Sequence, residues 1–116
     1  MNPLKKTQVN ISKALEKLKY IFKELELEGG FYPPEDNEDL LFYVFSLPEP
    51  TMLFNNIAVD KDCSAKGRAY YIHEEDKTEV TVKLKNTKDK KLGTFCFTYH
   101  SPEKFSYEMN YEGIGK

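Results

Sequence analysis

The chain has 116 residues, a formal net charge of −2, and 31% charged against 40% hydrophobic residues. This length fits a single domain, 1–116, and the composition argues against global disorder. The acidic balance argues against a dedicated nucleic-acid coat protein, because such domains are usually basic. Eight Tyr and eight Phe with no Trp favour a sheet-rich core, because aromatic residues suit a pleated, half-buried surface.

The N-terminal sequence and the cysteines bear on where the protein resides. The segment MNPLKKTQVN lacks the apolar stretch and the cleavage site of a signal peptide. The longest apolar run, residues 40–45, is far too short to cross a bilayer. Cys63 and Cys96 are too few for a disulfide framework. We therefore expect a cytoplasmic protein with reduced cysteines and no membrane association.

The first predicted element is an amphipathic helix over about residues 8–28. Apolar residues recur at intervals of three and four and form one stripe: Ile11, Leu15, Leu18, Phe22 and Leu25. Thr7 or Asn10 is the expected N-cap, and Gly29-Gly30 is the expected stop. The stripe predicts a helix with one face packed on a core.

Residues 31–39, FYPPEDNED, predict an irregular acidic loop. Pro33-Pro34 lack amide donors and force extended geometry on their neighbours. Four of the five positions from 35 to 39 are acidic, and two aromatic residues begin the segment. These six residues form the predicted partner-binding site: Phe31, Tyr32, Glu35, Asp36, Glu38 and Asp39.

After this loop the hydrophobic period changes from 3.6 to 2, which predicts antiparallel strands between residues 40 and 112. The predicted runs are 40–46, a weaker 52–59, 68–74, 78–85, 94–100 and 105–111. A polar turn around Asp76 joins the third and fourth runs into a hairpin. The predicted fold class is α+β, with one N-terminal helix packed on a five- to six-stranded meander in two layers.

No motif predicts a catalytic, metal or nucleotide site. Cys96 and His100 are four residues apart on one strand, roughly 13 Å, which is too far to share one ion. Cys96 lies between phenylalanines, so we expect a packed thiol rather than a nucleophile. The chain has no glycine-rich phosphate loop. We therefore predict that it is not an enzyme and that it needs no metal or cofactor.

The uneven distribution of charge gives the leading functional prediction. Residues 24–62 hold ten acidic residues and one lysine, whereas residues 1–23 hold six lysines and one glutamate. An acidic loop flanked by aromatic residues can dock on a cationic protein surface. We therefore predict a small acidic inhibitor of toxin-immunity or anti-defence type, whose partner is a nuclease or other nucleic-acid enzyme. A monomer and an edge-strand homodimer both fit this prediction.

Two alternatives remain open. The first is a small-ligand pocket between helix and sheet, lined by Phe42, Phe95, Phe97, Tyr99, Tyr107 and Tyr111. The second is nucleic-acid binding through a lysine loop, with Tyr70 and Tyr71 as stacking surfaces. The absence of arginine from that loop favours a solubilising role instead. Its residues are Lys83, Lys85, Lys88, Lys90 and Lys91.

Overall fold

The fold consists of one helix and six strands joined in chain order. The structure is a computed structural model and describes residues 3–32, 42–54 and 63–111. Its elements are α1 (Pro3–Ile21), β1 (Glu28–Tyr32), β2 (Phe42–Ser46), β3 (Ser64–Ile72), β4 (Lys77–Lys85), β5 (Lys91–Ser101) and β6 (Lys104–Tyr111). All neighbouring strands pair antiparallel, in the order β1-β2-β3-β4-β5-β6. This confirms the predicted α+β fold, a helix on a meander sheet.

Helix α1 covers one face of the sheet at β3, β4 and β5. The predicted helix stripe supplies Ile11, Leu15 and Leu18 to the core, all of them buried. The sheet supplies alternate residues of β4 and β5: Val80, Val82, Leu84, Phe95 and Phe97. Strand β3 contributes small residues to the same face: Ala65, Gly67 and Ala69. The residues that alternate with these lie on the opposite face, which α1 leaves uncovered.

Helix α1 lies earlier in the chain than the predicted span of about 8–28. It begins at Pro3, since proline is favoured in the first turn, where its missing N–H is not needed. Thr7 and Asn10, the predicted N-caps, both lie inside the helix. The helix ends at Ile21, and Glu24 takes a left-handed φ of 69° that turns the chain. The stop therefore comes before the two glycines that predicted it.

Strand β1 is an element that the sequence does not predict, because it contains Gly29-Gly30. Gly29 pairs with Phe45 of β2. A Cβ atom at Gly29 would lie 2.1 Å from the Val44 carbonyl oxygen, so glycine permits the close approach of β2. Phe31 and Tyr32, predicted to begin an irregular loop, are therefore the last two residues of β1. Residues 33–39 lie outside the described residues.

The predicted strand 52–59 does not form over its described residues. A short 3₁₀ helix, Pro50–Met52, occupies this position instead. Its proline carbonyl accepts the N–H groups of Leu53 at 3.1 Å and Phe54 at 3.0 Å. Leu53 and Phe54 are adjacent and both buried, an arrangement that an alternating strand does not allow. Residues 55–62 lie outside the described residues.

The other strands overlap the predicted runs, but β3 begins at Ser64 and ends at Ile72 instead of spanning 68–74, and β5 begins at Lys91 instead of Thr94. Strands β3 and β4 pair along their full length, from Ser64 opposite Lys85 to Ile72 opposite Lys77. The turn between them passes through Asp76, as predicted, with a left-handed φ of 48°. Residues 40, 41 and 112 of the predicted strand region lie outside the described residues.

Candidate functional site

The face of the sheet opposite α1, termed the open face, carries a group of four cationic side chains on two neighbouring strands. A fifth cation of this face, Lys77, lies at the other end of its strand and pairs with Glu75 and Glu79. Lys66 and Arg68 lie on β3, and Lys83 and Lys85 lie on β4. They alternate with the buried residues of the same strands, so all four belong to the open face. Lys66 is the direct cross-strand partner of Lys83, and Arg68 that of Thr81. The four cations are termed the cationic cluster.

An open groove of about 480 Å³ runs over the cationic cluster, and all four cations line it. Its other lining residues are Val44, Ser64, Gly67, Tyr70, Thr81 and Asp89. Asp89 is the only carboxylate among these described residues, and its Oδ1 atom lies 3.4 Å from the Lys85 Nζ atom. Both side chains are exposed, so water screens their attraction. The groove therefore has a positive potential that attracts anions.

The pairing of Lys66 with Lys83 is unfavourable in the free protein. Like charges directly opposite each other on neighbouring strands destabilise a sheet. Among the residues that the structure describes, neither lysine has an ion pair, and Arg68 has none either. An anion between the two ammonium groups would replace this repulsion with charge-assisted hydrogen bonds. The arrangement is therefore suited to a phosphate or carboxylate group.

Aromatic side chains continue the open face beyond Arg68. The register places Tyr32, Phe42 and Tyr70 side by side across β1, β2 and β3. The rings of Phe42 and Tyr70 meet edge to face, with centroids 6.2 Å apart. The Arg68 Cζ atom lies 5.8 Å from the Phe42 centroid, within the range of a cation–π contact. These three residues are termed the aromatic row, and Arg68 connects it to the cationic cluster.

The carboxylate beside the aromatic row, Glu79, is engaged by two partners. The Tyr70 hydroxyl donates to Glu79, and the Lys77 Nζ atom lies 3.2 Å from a Glu79 oxygen. The hydrogen bond to Glu79, with burial, raises the pKa of Tyr70 to about 12. The same hydrogen bond lowers the pKa of Glu79. Glu79 is therefore ionised at neutral pH, and its charge is offset within the protein.

A second groove, of about 280 Å³, lies at the end of the aromatic row. Its lining residues are Thr7, Phe42, Tyr70, Tyr71, Ile72, His73 and Glu74. Tyr70 lines both grooves, so the two are adjacent. The Thr7 Oγ1 and His73 Nε2 atoms are 3.1 Å apart, which links α1 to the turn after β3. The second groove thus extends the open face past its aromatic side chains.

The predicted lysine loop is divided between two places in the structure. Lys83 and Lys85 line the groove over the cationic cluster, termed the large groove. Lys88 and Lys90 lie in the tight turn after β4, where their backbone N–H groups donate to Asn86 Oδ1 at 2.9 Å and 3.0 Å. Their side chains are exposed and do not line the groove. Lys91 begins β5, opposite Lys85.

The two tyrosines predicted to stack on bases lie on opposite faces of β3. Tyr70 is half-buried on the open face, whereas Tyr71 is buried under α1. The Tyr71 hydroxyl donates to Asp76, and burial with this hydrogen bond raises the pKa of Tyr71 to about 12. Only Tyr70 can therefore present its ring to a ligand on the open face.

Sequence reasoning missed Lys66 and Arg68 as members of this site. The run S-A-K-G-R-A-Y does alternate between small and larger residues with the period of a strand. The signal is weak because alanine and glycine have low strand propensity, so the predicted strand begins only at Arg68. The same alternation, extended back to Ser64, would have placed Lys66 on the solvent-facing side.

Two of the six residues predicted to bind a protein partner lie in the described part of the chain. Tyr32 is 58% exposed on the open face. Phe31 is half-buried on the helix side, with its ring centroid 5.1 Å from that of Tyr43. Adjacent residues of a strand point in opposite directions, so these two side chains do not share a surface. The role of the other four, Glu35, Asp36, Glu38 and Asp39, stays a prediction, since they lie outside the described residues.

The six aromatic residues of the predicted ligand pocket are distributed over different surroundings. Phe95, Phe97 and Tyr99 are buried in the core. Phe42 lies on the opposite face, in the aromatic row. Tyr107 and Tyr111 are exposed on edge strand β6. The structure therefore does not bring these six together around one cavity.

No relative indicates a function for this chain. It matches no family model, no curated protein and no solved structure. Across residues 3–32, 42–54 and 63–111, no group of three or more His, Cys, Asp or Glu residues could hold a metal ion. No helix within those ranges is long and apolar enough to cross a membrane. Function is therefore inferred from the geometry of the open face.

Proposed function

We propose that this chain is a non-enzymatic binding protein that holds an anionic partner on the open face of its sheet. One observation carries this proposal: Lys66 directly opposes Lys83 in a groove of about 480 Å³ that the rest of the cationic cluster also lines. This opposition destabilises the free protein and becomes favourable when an anion binds. Binding would therefore also stabilise the fold.

The positions of the potentially reactive side chains support a binding role. Cys96 and His100 share the open face but are four residues apart on β5, roughly 13 Å. His73 lies in the turn after β3 and is engaged with Thr7. Glu79 is engaged with Tyr70 and Lys77. The two cysteines are unpaired, which supports the cytoplasm as the compartment of this binding protein.

The proposal is tested with long-chain polyphosphate, a polyanion that carries no aromatic group. We compare the double variant Lys66→Glu with Lys83→Glu against a control double variant, Lys5→Glu with Lys13→Glu. The control makes the same change in net charge on the exposed side of α1. At about 50 mM salt we expect about a tenfold loss of affinity in the first variant and less than about a twofold loss in the control. Equal losses would show that net charge alone governs binding and would contradict the proposal.

A second candidate is the acidic inhibitor of toxin-immunity or anti-defence type, in which residues 31–39 dock on a basic surface of a nucleic-acid enzyme. One observation favours it: Tyr32, which directly precedes residues 33–39, is 58% exposed. Exposed aromatic residues often anchor protein interfaces. Amide replacements of the four acids should slow association with a basic partner and flatten its salt dependence. The Lys66→Glu and Lys83→Glu double variant should leave that association intact. Unchanged association after the amide replacements would contradict this second candidate.

A further inference from the structure

The open face joins two chemistries that one ligand has to match. Lys66, Arg68 and Tyr70 follow one another at every second residue of β3, roughly 7 Å apart. Arg68 contacts the Phe42 ring and also lines the groove over the cationic cluster. The two grooves share Tyr70. A ligand extended along β3 would therefore meet positive charge first and aromatic rings next.

On the basis of the proposed function, we propose that the anionic partner is a single-stranded nucleic acid. The cationic cluster would hold its phosphates, and the aromatic row would stack an unpaired base. A single strand supplies negative charges at regular intervals together with planar rings, and every base has a face that stacks on an aromatic side chain. In a duplex the bases are already stacked inside, so the aromatic row would have no partner. An acidic peptide would match the cationic cluster alone.

Two acidic side chains near this path are engaged by neighbouring side chains, and two lie on the outer strands of the sheet. Glu79 is engaged by Lys77 and Tyr70, and Asp89 lies beside Lys85. Glu28 and Glu108 lie on the outer strands β1 and β6, at the two borders of the face. Neither of these two glutamates lines the groove over the cationic cluster. The cationic cluster also limits how strongly salt can weaken binding. Each contact between a cation and a phosphate of a single strand contributes about −0.7 to the slope of log affinity against log salt concentration. Four contacts therefore give a slope no steeper than about −2.8.

The test is fluorescence anisotropy of a labelled oligo(dT) of about ten nucleotides, with polyphosphate and poly-L-glutamate as competitors. We expect the oligonucleotide to bind about fivefold or more tightly than either competitor, since only the oligonucleotide has bases that stack on the aromatic row. Phe42→Leu and Tyr32→Leu should each lower oligonucleotide affinity about fivefold and leave polyphosphate affinity unchanged. The control Tyr20→Leu, at a residue 74% exposed on α1, should change neither affinity.

The outcomes separate this inference from the proposed function. If polyphosphate binds as tightly as the oligonucleotide and Phe42→Leu has no effect, the inference is overturned and the proposed function stands. Tighter binding of poly-L-glutamate overturns the inference in favour of an acidic protein partner. Failure of all three to bind overturns both. Should Phe42→Leu fail to fold, Tyr32→Leu carries the same test, because Tyr32 is exposed.

Discussion

Lys66 and Lys83 lie directly opposite each other on β3 and β4, on the face of the sheet that α1 does not cover. The opposite face fixes this register, because a slip of one residue would move Val82 and Leu84 out of the core. Packing on one face therefore places two lysines at directly opposed positions on the other. The fold tolerates this opposition of like charges, and the proposed anion would relieve it.

Reversal of one charge in the Lys66–Lys83 pair should raise the stability of the fold and lower its affinity for anions. Lys66→Glu converts a repulsive cross-strand pair into an attractive one, so we expect the free energy of unfolding to rise by about 0.2–1 kcal/mol at low salt. Polyphosphate affinity should fall in the same variant. Urea denaturation at low and high salt measures the first effect, with Lys5→Glu as the control. A loss of stability would contradict the geometry of the pair.

Removal of the carboxylate from the large groove should strengthen anion binding. Asp89→Asn leaves the turn residue polar and removes its attraction for Lys85. An exposed pair of this kind contributes about 0.2–1 kcal/mol, so we expect a gain in polyphosphate affinity of about 1.4- to 5-fold. Glu103→Gln, an equal charge change at an exposed turn residue, is the matched control. The same gain in both variants would show that the effect is not local to the groove.

Two glycines of the sheet should differ sharply in their tolerance of a methyl group. A Cβ atom at Gly67 would lie 2.2 Å from the Phe45 Cζ atom, whereas the nearest atom at Gly30 is 3.9 Å away. Gly67→Ala should therefore lower the free energy of unfolding by about 1–3 kcal/mol, because the Phe45 ring must move. Gly30→Ala should change it by less than about 0.5 kcal/mol. Similar effects at both sites would contradict the packing of Phe45 over β3.

Alkaline pH should weaken the fold through Tyr70. Because folding raises the pKa of Tyr70 to about 12 from its ordinary value of 10.0, the folded state holds the phenolic proton more tightly than the unfolded chain. Stability is then full below pH 10.0 and falls as the pH rises toward about 12. Tyr71 has the same shift and contributes to the same fall. Tyr70→Phe should make the decline in urea midpoint over this interval shallower; an unchanged decline would contradict the Tyr70–Glu79 hydrogen bond.

Helices and strands with a periodic hydrophobic pattern could be predicted from the sequence. Elements that depend on close packing against distant parts of the chain could not. The helix stripe and the alternation in β4, β5 and β6 follow from burial of one face. Strand β1 depends on the approach of β2 to Gly29, which no local pattern encodes. The short helix Pro50–Met52 brings Leu53 and Phe54 into the core together, so its residues show neither strand nor long-helix periodicity.

Only part of the candidate site could be predicted from the sequence. Lys83 and Lys85 stand out within a lysine-rich run, and Tyr70 lies in an aromatic strand. Lys66 becomes part of the same site only through the register that sets it opposite Lys83. Register depends on the turn and on long-range packing, which one sequence does not display.

The most direct test of the central claim is an NMR titration of the isotope-labelled protein with oligo(dT). We expect chemical-shift changes concentrated on the open face of β2, β3 and β4, with the largest at Lys66, Arg68 and Lys83. The Lys66→Glu and Lys83→Glu double variant should lose these changes, and the Lys5→Glu and Lys13→Glu control should keep them. Changes confined to residues 31–39 or to α1 would contradict the assignment of the open face as the binding surface. No changes at all would overturn the single-strand inference.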